Sequence, residues 1–130
     1  NNGGGTDGQE YTFSSVSVSA GDNILVARTP AEMAAYLGAT EANVIQMDID
    51  QNGDDAIELY ENGEVIETFG DIDTDGTGEV WEYKDSWAYK VDGAWTYGGV
   101  DCTVDSETSA TSDCPYPGYP RRHRHSGNRC

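Results

Sequence analysis

Hydrophobic and polar residues alternate along this chain in short runs bounded by Gly, Asn and Asp, the pattern of strands joined by tight turns. Tyr11-Thr-Phe-Ser-Ser-Val-Ser-Val18 is β-branched and aromatic with broken alternation. Ala20-Gly-Asp-Asn23 follows as a turn and Ile24-Leu-Val-Ala27 as a buried strand, so the segment predicts a hairpin. Thr29-Pro30-Ala31-Glu32 then supplies an N-cap, a first-turn proline and a capping-box glutamate, and Gly38 follows Leu37 as a helix stop. One short helix over about Pro30–Leu37 should interrupt the strands. Val44–Met47 reads as a weak strand. Ala56–Tyr60 and Val65–Phe69, joined through Asn62-Gly63, form the clearest unit, because Asn-Gly between alternating runs is a strong hairpin signal. Alternation directs Ile57, Leu59, Val65 and Phe69 to the apolar side and Glu58 and Glu67 to solvent. Further strands are expected at Ser86–Val91 and Ala94–Tyr97.

Trp81, Tyr83, Trp87, Tyr89, Trp95 and Tyr97 crowd the last third of these strands, so the core is expected to be aromatic there. The same rings also offer a stacking surface for a glycan, although core packing is the stronger use. From Cys102 onward the strand signals stop. Tyr116-Pro-Gly-Tyr-Pro120 is an extended segment leading into Arg121-Arg-His-Arg-His125. The organisation read from these patterns is a flexible segment over 1–10, a β-domain over 11–101, a loop and extended segment over 102–117, and a basic tail over 118–130. The Gly-rich start reads as an exposed loop or as a cut inside a longer sequence.

Composition changes this picture in three ways. The 130 residues suit one folded unit with tails. Twenty-four acidic side chains face seven basic ones, a formal charge of -17, so a phosphate backbone is repelled and nucleic acid is a poor partner. All the acids precede the tail, whereas Arg121, Arg122, Arg124 and Arg129 give the tail the opposite sign. No stretch approaches the roughly 18 apolar residues of a membrane span, and no signal peptide opens the chain, so any export signal is read as already removed. The three cysteines, Cys102, Cys114 and Cys130, contain no C-x-x-C pair, which favours a disulfide and a secreted or cell-surface setting. Three pairings are open; closing the shortest loop favours Cys102–Cys114 and leaves Cys130 as a free end or a link to a second chain.

Several motifs stand in a familiar order: Asn52-Gly-Asp-Asp-Ala-Ile-Glu-Leu59, Thr68-Phe-Gly-Asp71, Trp81-Glu-Tyr83, Ser86-Trp-Ala-Tyr89 and Trp95-Thr-Tyr97 before Cys102. Over roughly Thr6–Pro117 they resemble lamin-tail-type domains of secreted proteins. The resemblance implies an all-β, immunoglobulin-like β-sandwich, here with one short helix and an extended basic C-terminal tail. Such domains are carried as accessory modules beside extracellular nucleases and hydrolases. They begin with two further strands that this sequence does not show, which leaves an open sheet edge as a template for another chain.

Asp71-Ile-Asp73-Thr-Asp75-Gly76-Thr77-Gly-Glu79-Val-Trp-Glu82 fits the twelve-residue calcium loop. Asp71, Asp73 and Asp75 take the first, third and fifth positions, Gly76 the turning sixth, Thr77 the seventh, Glu79 the ninth and Glu82 the twelfth. Against a metal, Gly78 stands where an apolar residue is usual, and neither flank reads as a helix; a solvated Asp/Gly turn gives the same pattern. Asp48-Ile-Asp50-Gln-Asn52-Gly53 repeats the spacing but carries Leu59 at the twelfth position. The only histidines, His123 and His125, lie in the tail, away from any core strand that might position a catalytic base.

These readings predict a non-catalytic extracellular structural or adhesive protein. Copies would form a homo-oligomer or filament through a sheet edge and through Arg121, Arg122, Arg124 and Cys130, with calcium screening the acidic bodies. The alternative from another class is an accessory binding module of a secreted nuclease or hydrolase, recognising a surface glycan.

Overall fold

A computed structural model describes residues 3–15, 17–40 and 44–118. The chain is β-rich with one short helix, ordered β1 (Leu25–Ala27), α1 (Pro30–Leu37), β2 (Val44–Gln46), β3 (Ile57–Glu61), β4 (Glu64–Phe69), β5 (Ala88–Val91) and β6 (Ala94–Tyr97), with a 3-10 turn at Ser109–Thr111. The strands pair as three two-stranded sheets, β1–β2, β3–β4 and β5–β6. A sandwich of two facing multi-stranded sheets is not what these pairs show.

The helix stands where Pro30 and Gly38 place it. Gly38 adopts a left-handed backbone (φ 69°), and the Ala39 N–H donates to the Ala34 carbonyl (2.8 Å), closing the last turn. The start departs from the expected capping box: the Thr29 hydroxyl donates to the Glu32 carboxylate (2.7 Å) and caps no backbone N–H. The expected hairpin of Tyr11–Val18 with Ile24–Ala27 is not formed. Among its described residues Tyr11–Val18 holds no strand, and β1 instead pairs in parallel with β2, Leu25 opposite Val44 and Ala27 opposite Gln46. Parallel neighbours need a crossover, and α1 supplies it. Ala27, Ala34 and Val44 are buried together at its centre, with Leu25, Met33 and Ala39 around them. The parallel pairing lets Ala34 of the helix bury Ala27 and Val44, apolar contact that the serine-rich Tyr11–Val18 segment offers less of.

The two hairpins are local products of their turns. Asn62 and Gly63 both take positive φ (52° and 86°), as do Asp92 and Gly93 (49° and 82°), the geometry of two-residue turns that match strand twist. In β3–β4 the register shifts between Leu59 and Tyr60: Leu59 faces Glu67 but Tyr60 faces Val65, which leaves Ile66 as the extra residue of a bulge. The faces observed differ from those expected. Phe69 is buried, yet Ile57, Leu59 and Val65 stay 38%, 45% and 42% exposed. Glu58 and Glu67 are half-buried, the first receiving the Thr6 and Tyr60 hydroxyls and the second paired with Lys90.

The second core gathers on Phe69. Trp81 (6.1 Å between ring centroids), Tyr83 (5.4 Å) and Trp95 (4.9 Å) meet it edge to face, and Tyr97 lies 6.5 Å away. The aromatic core expected in the last third is therefore present, and Trp81 and Trp95 belong to it. Cys102 and Cys114 stand at disulfide distance, with Cα atoms 5.7 Å apart. The bridge holds the last described segment against β5: Trp87 Nε1 donates to the Cys114 carbonyl (2.7 Å), and Tyr116 packs on Trp87 and Tyr89.

Candidate functional site

The two Asp-rich loops that share a spacing in the sequence also meet in space. The Gly76 N–H donates to the Asp54 carbonyl (3.2 Å), the Thr77 hydroxyl donates to Asp54 Oδ2 (2.9 Å), and the Tyr83 N–H donates to the Gly53 carbonyl (2.7 Å). The sixth-position glycines make this approach possible. A side chain on Gly76 would lie within 2.5 Å of the Trp81 ring and would strike the Asp54 carbonyl; one on Gly53 would strike the Lys84 backbone. Gly76 thus serves the packing of its loop on Asp54, and Gly53 the close passage of the chain at Lys84.

Three carboxylates of the Asp71–Glu82 loop, those of Asp71, Asp75 and Glu82, accept hydrogen bonds from within the loop. Asp71 Oδ1 accepts the Asp73 N–H (2.9 Å) and Oδ2 the Thr74 hydroxyl (3.1 Å). Asp75 Oδ1 accepts the Thr77 N–H (2.9 Å), and Glu82 Oε2 accepts the Gly78 N–H (2.7 Å). These are side-chain turns of the kind Asp forms readily. Glu79 is exposed and donates its own N–H to the Gly76 carbonyl (2.9 Å). Among the described residues no group of three or more His, Cys, Asp or Glu side chains converges to hold a metal ion. The six residues of the calcium pattern, Asp71, Asp73, Asp75, Thr77, Glu79 and Glu82, therefore lie along one loop without a common centre.

Two groups at these loops are shifted from their ordinary values. The Thr77 backbone N–H, and after it the Thr77 hydroxyl, holds the Asp75 carboxyl below its ordinary range. Burial raises the Tyr83 phenol well above the ordinary tyrosine range, and the charges of Asp55 and then Asp54 add to the rise. Tyr83 Oη and Asp54 Oδ1 are buried atoms without a hydrogen-bond partner among the described residues. The repeated spacing pointed to the two loops but not to Tyr83 beneath them, because nothing in the local pattern says which ring the loops will cover.

A second feature is a groove of about 1590 Å³ between residues 7–13, the chain leaving β2, and β3 with its turn. Neither hydropathy nor motif spacing singles it out, since its walls come from residues 7–13, Val26, residues 46–51 and residues 55–63. The proposed self-association residues Arg121, Arg122, Arg124 and Cys130 lie outside the described residues, as do His123 and His125. No helix among the described residues is long and apolar enough to cross a membrane. No family model matches this chain, and neither a curated protein nor a solved structure matches it.

Proposed function

We propose that this chain is an extracellular structural or adhesive protein that acts by joining to copies of itself and not by catalysis. The observation that carries the reading is the β4 strand, where Val65 and Ile66 are 42% and 56% exposed beside an edge with no further strand among the described residues. An open, apolar strand edge is a template for another strand. Each copy also holds both signs of charge, an acidic body and an arginine tail, so a second copy is the complementary partner. On this reading the immunoglobulin-like sandwich implied by the lamin-tail resemblance is completed between copies. Disulfide-distance cysteines support an oxidising, extracellular setting.

Calcium belongs to the same proposal. The oxygen donors of Asp71, Asp73, Asp75, Thr77, Glu79 and Glu82 suit a hard cation, provided the carboxylates exchange their turn-capping hydrogen bonds for a shared centre. Binding there would neutralise part of the charge that opposes packing.

Sedimentation velocity on the full chain tests the reading, with millimolar-range calcium against excess chelator. Large species are expected in calcium, with a shift to monomer when Val65 and Ile66 are both replaced by Lys. A wild-type monomer under both conditions would overturn self-association and leave the accessory binding module of a secreted enzyme as the better account.

A further inference from the structure

The groove beside β3 has a composition that selects its occupant. Tyr11, Phe13, Met47, Ile49 and Leu59 contribute apolar wall, while seven carboxylates and, among the described residues, no lysine or arginine supply its charge. Asp50 forms an ion pair with Arg28 (2.9 Å), a residue that does not line the groove. The walls are tied at Thr6, whose hydroxyl bonds Glu58 and Tyr60, and at Tyr11, whose hydroxyl donates to the Gln46 carbonyl (3.3 Å). Consecutive residues from Asp55 to Gly63 line it. Within that run β3 pairs with β4 on one side and, among the described residues, with no strand on the other. The groove therefore offers aromatic and aliphatic contact, a strand edge with no further strand among the described residues and a single sign of charge.

One stretch of this chain matches all three properties. Arg121-Arg122-His123-Arg124-His125 is free of proline, follows Tyr116-Pro-Gly-Tyr-Pro120, and carries positive charge as densely as the groove carries negative. We propose that this groove is the receptor for the Arg121–His125 segment of a second copy, with the arginines against the carboxylate rim and the tail backbone along β3. The proposal rests on the self-association reading and assigns its charged contact to a site separate from the Val65–Ile66 edge.

Charge reversal on the full chain tests it. Glu10, Asp48 and Glu61 are exposed rim residues; their joint replacement by Lys makes the rim variant, and Arg121, Arg122 and Arg124 all replaced by Glu make the tail variant. Each variant alone is expected to associate at least about tenfold more weakly than the wild type at low ionic strength. Mixed together the two should associate again, because each supplies the groove that the other's tail requires. Restoration in the mixture also shows that both variants are folded. An acetylated peptide of residues 119–126 should disperse the wild-type assembly and fail to bind the rim variant. If the rim variant associates as well as the wild type while the tail variant does not, the tail docks elsewhere; the groove assignment is then overturned and self-association stands. A wild type that is monomeric at every ionic strength overturns both.

Discussion

At the scale of single residues, Tyr83 is the group whose chemistry depends most on its surroundings. Its hydroxyl is buried with no hydrogen-bond partner among the described residues, and burial, with Asp55 and Asp54 behind it, keeps the phenol protonated far into the alkaline range. A raised folded value means that the contribution to stability is complete below about pH 10, where a free tyrosine begins to ionise, and is lost as pH rises through the folded value. Tyr83→Phe removes an unsatisfied hydroxyl while keeping the edge-to-face contact with Phe69. The variant is expected to be as stable as the wild type at neutral pH, or more stable by about 1 kcal/mol, and to resist alkali better. Urea unfolding at pH 7 and pH 11 measures both; a loss of stability at pH 7 would show that the hydroxyl has a partner after all. Asp75 behaves in the opposite sense: its carboxyl is held low, so what it contributes is lost as pH falls through its folded value.

At the scale of elements, the hairpins and the cross-link do different work. The β5–β6 hairpin is set by its Asp92-Gly93 turn, but its position over the last described segment depends on Trp87, whose indole holds the Cys114 carbonyl. The Cys102–Cys114 bridge spans 12 residues, and a loop of that size contributes about 3 kcal/mol by restricting the unfolded chain. Replacing both cysteines by Ser should lower the urea midpoint by the equivalent of about 2–4 kcal/mol and expose Trp87 to solvent, seen as a red shift of its fluorescence. An unchanged midpoint would mean that the packing of Tyr116 on Trp87 and Tyr89 suffices without the bond.

At the scale of the whole molecule, the balance is between small cores and a large like charge. The buried hydrophobic residues form two separate clusters, one around Ala34 and one around Phe69, and no large side chain among the described residues is fully buried. Against them stands a formal charge of -17, whose self-repulsion opens the chain at low ionic strength. Screening should therefore stabilise it. The thermal midpoint of the dilute, unassociated chain is expected to rise by several degrees between millimolar and physiological salt, where the Debye length falls to about 8 Å. Calorimetry or circular dichroism reads this directly; a midpoint that falls with salt would show that ion pairs such as Arg28–Asp50 and Lys84–Asp101 outweigh the repulsion.

What the sequence determined by itself lies within a few residues of its own signal. Asn62-Gly63 defined a hairpin, Pro30 and Gly38 bounded a helix, and the Cys102–Cys114 spacing favoured the pair that stands at bonding distance, because turn, cap and short-loop energies are set locally. The shared spacing of the Asp48 and Asp71 loops marked both as related, and the tryptophans and tyrosines of the last third announced an aromatic core. Only the tertiary structure decided the rest. Val44 lies nearly twenty residues from Leu25, yet burial under α1 selected their parallel pairing over the local alternative. β3 kept its alternation but exchanged its faces, Ile57 and Leu59 staying exposed while Glu58 and Tyr60 are half-buried. Asp54 met Thr77, and residues 7–13 came to line one acidic groove with residues 46–51 and 55–63. Such contacts depend on which surfaces bury most when every element competes for the same partners, and that competition is decided across the whole chain.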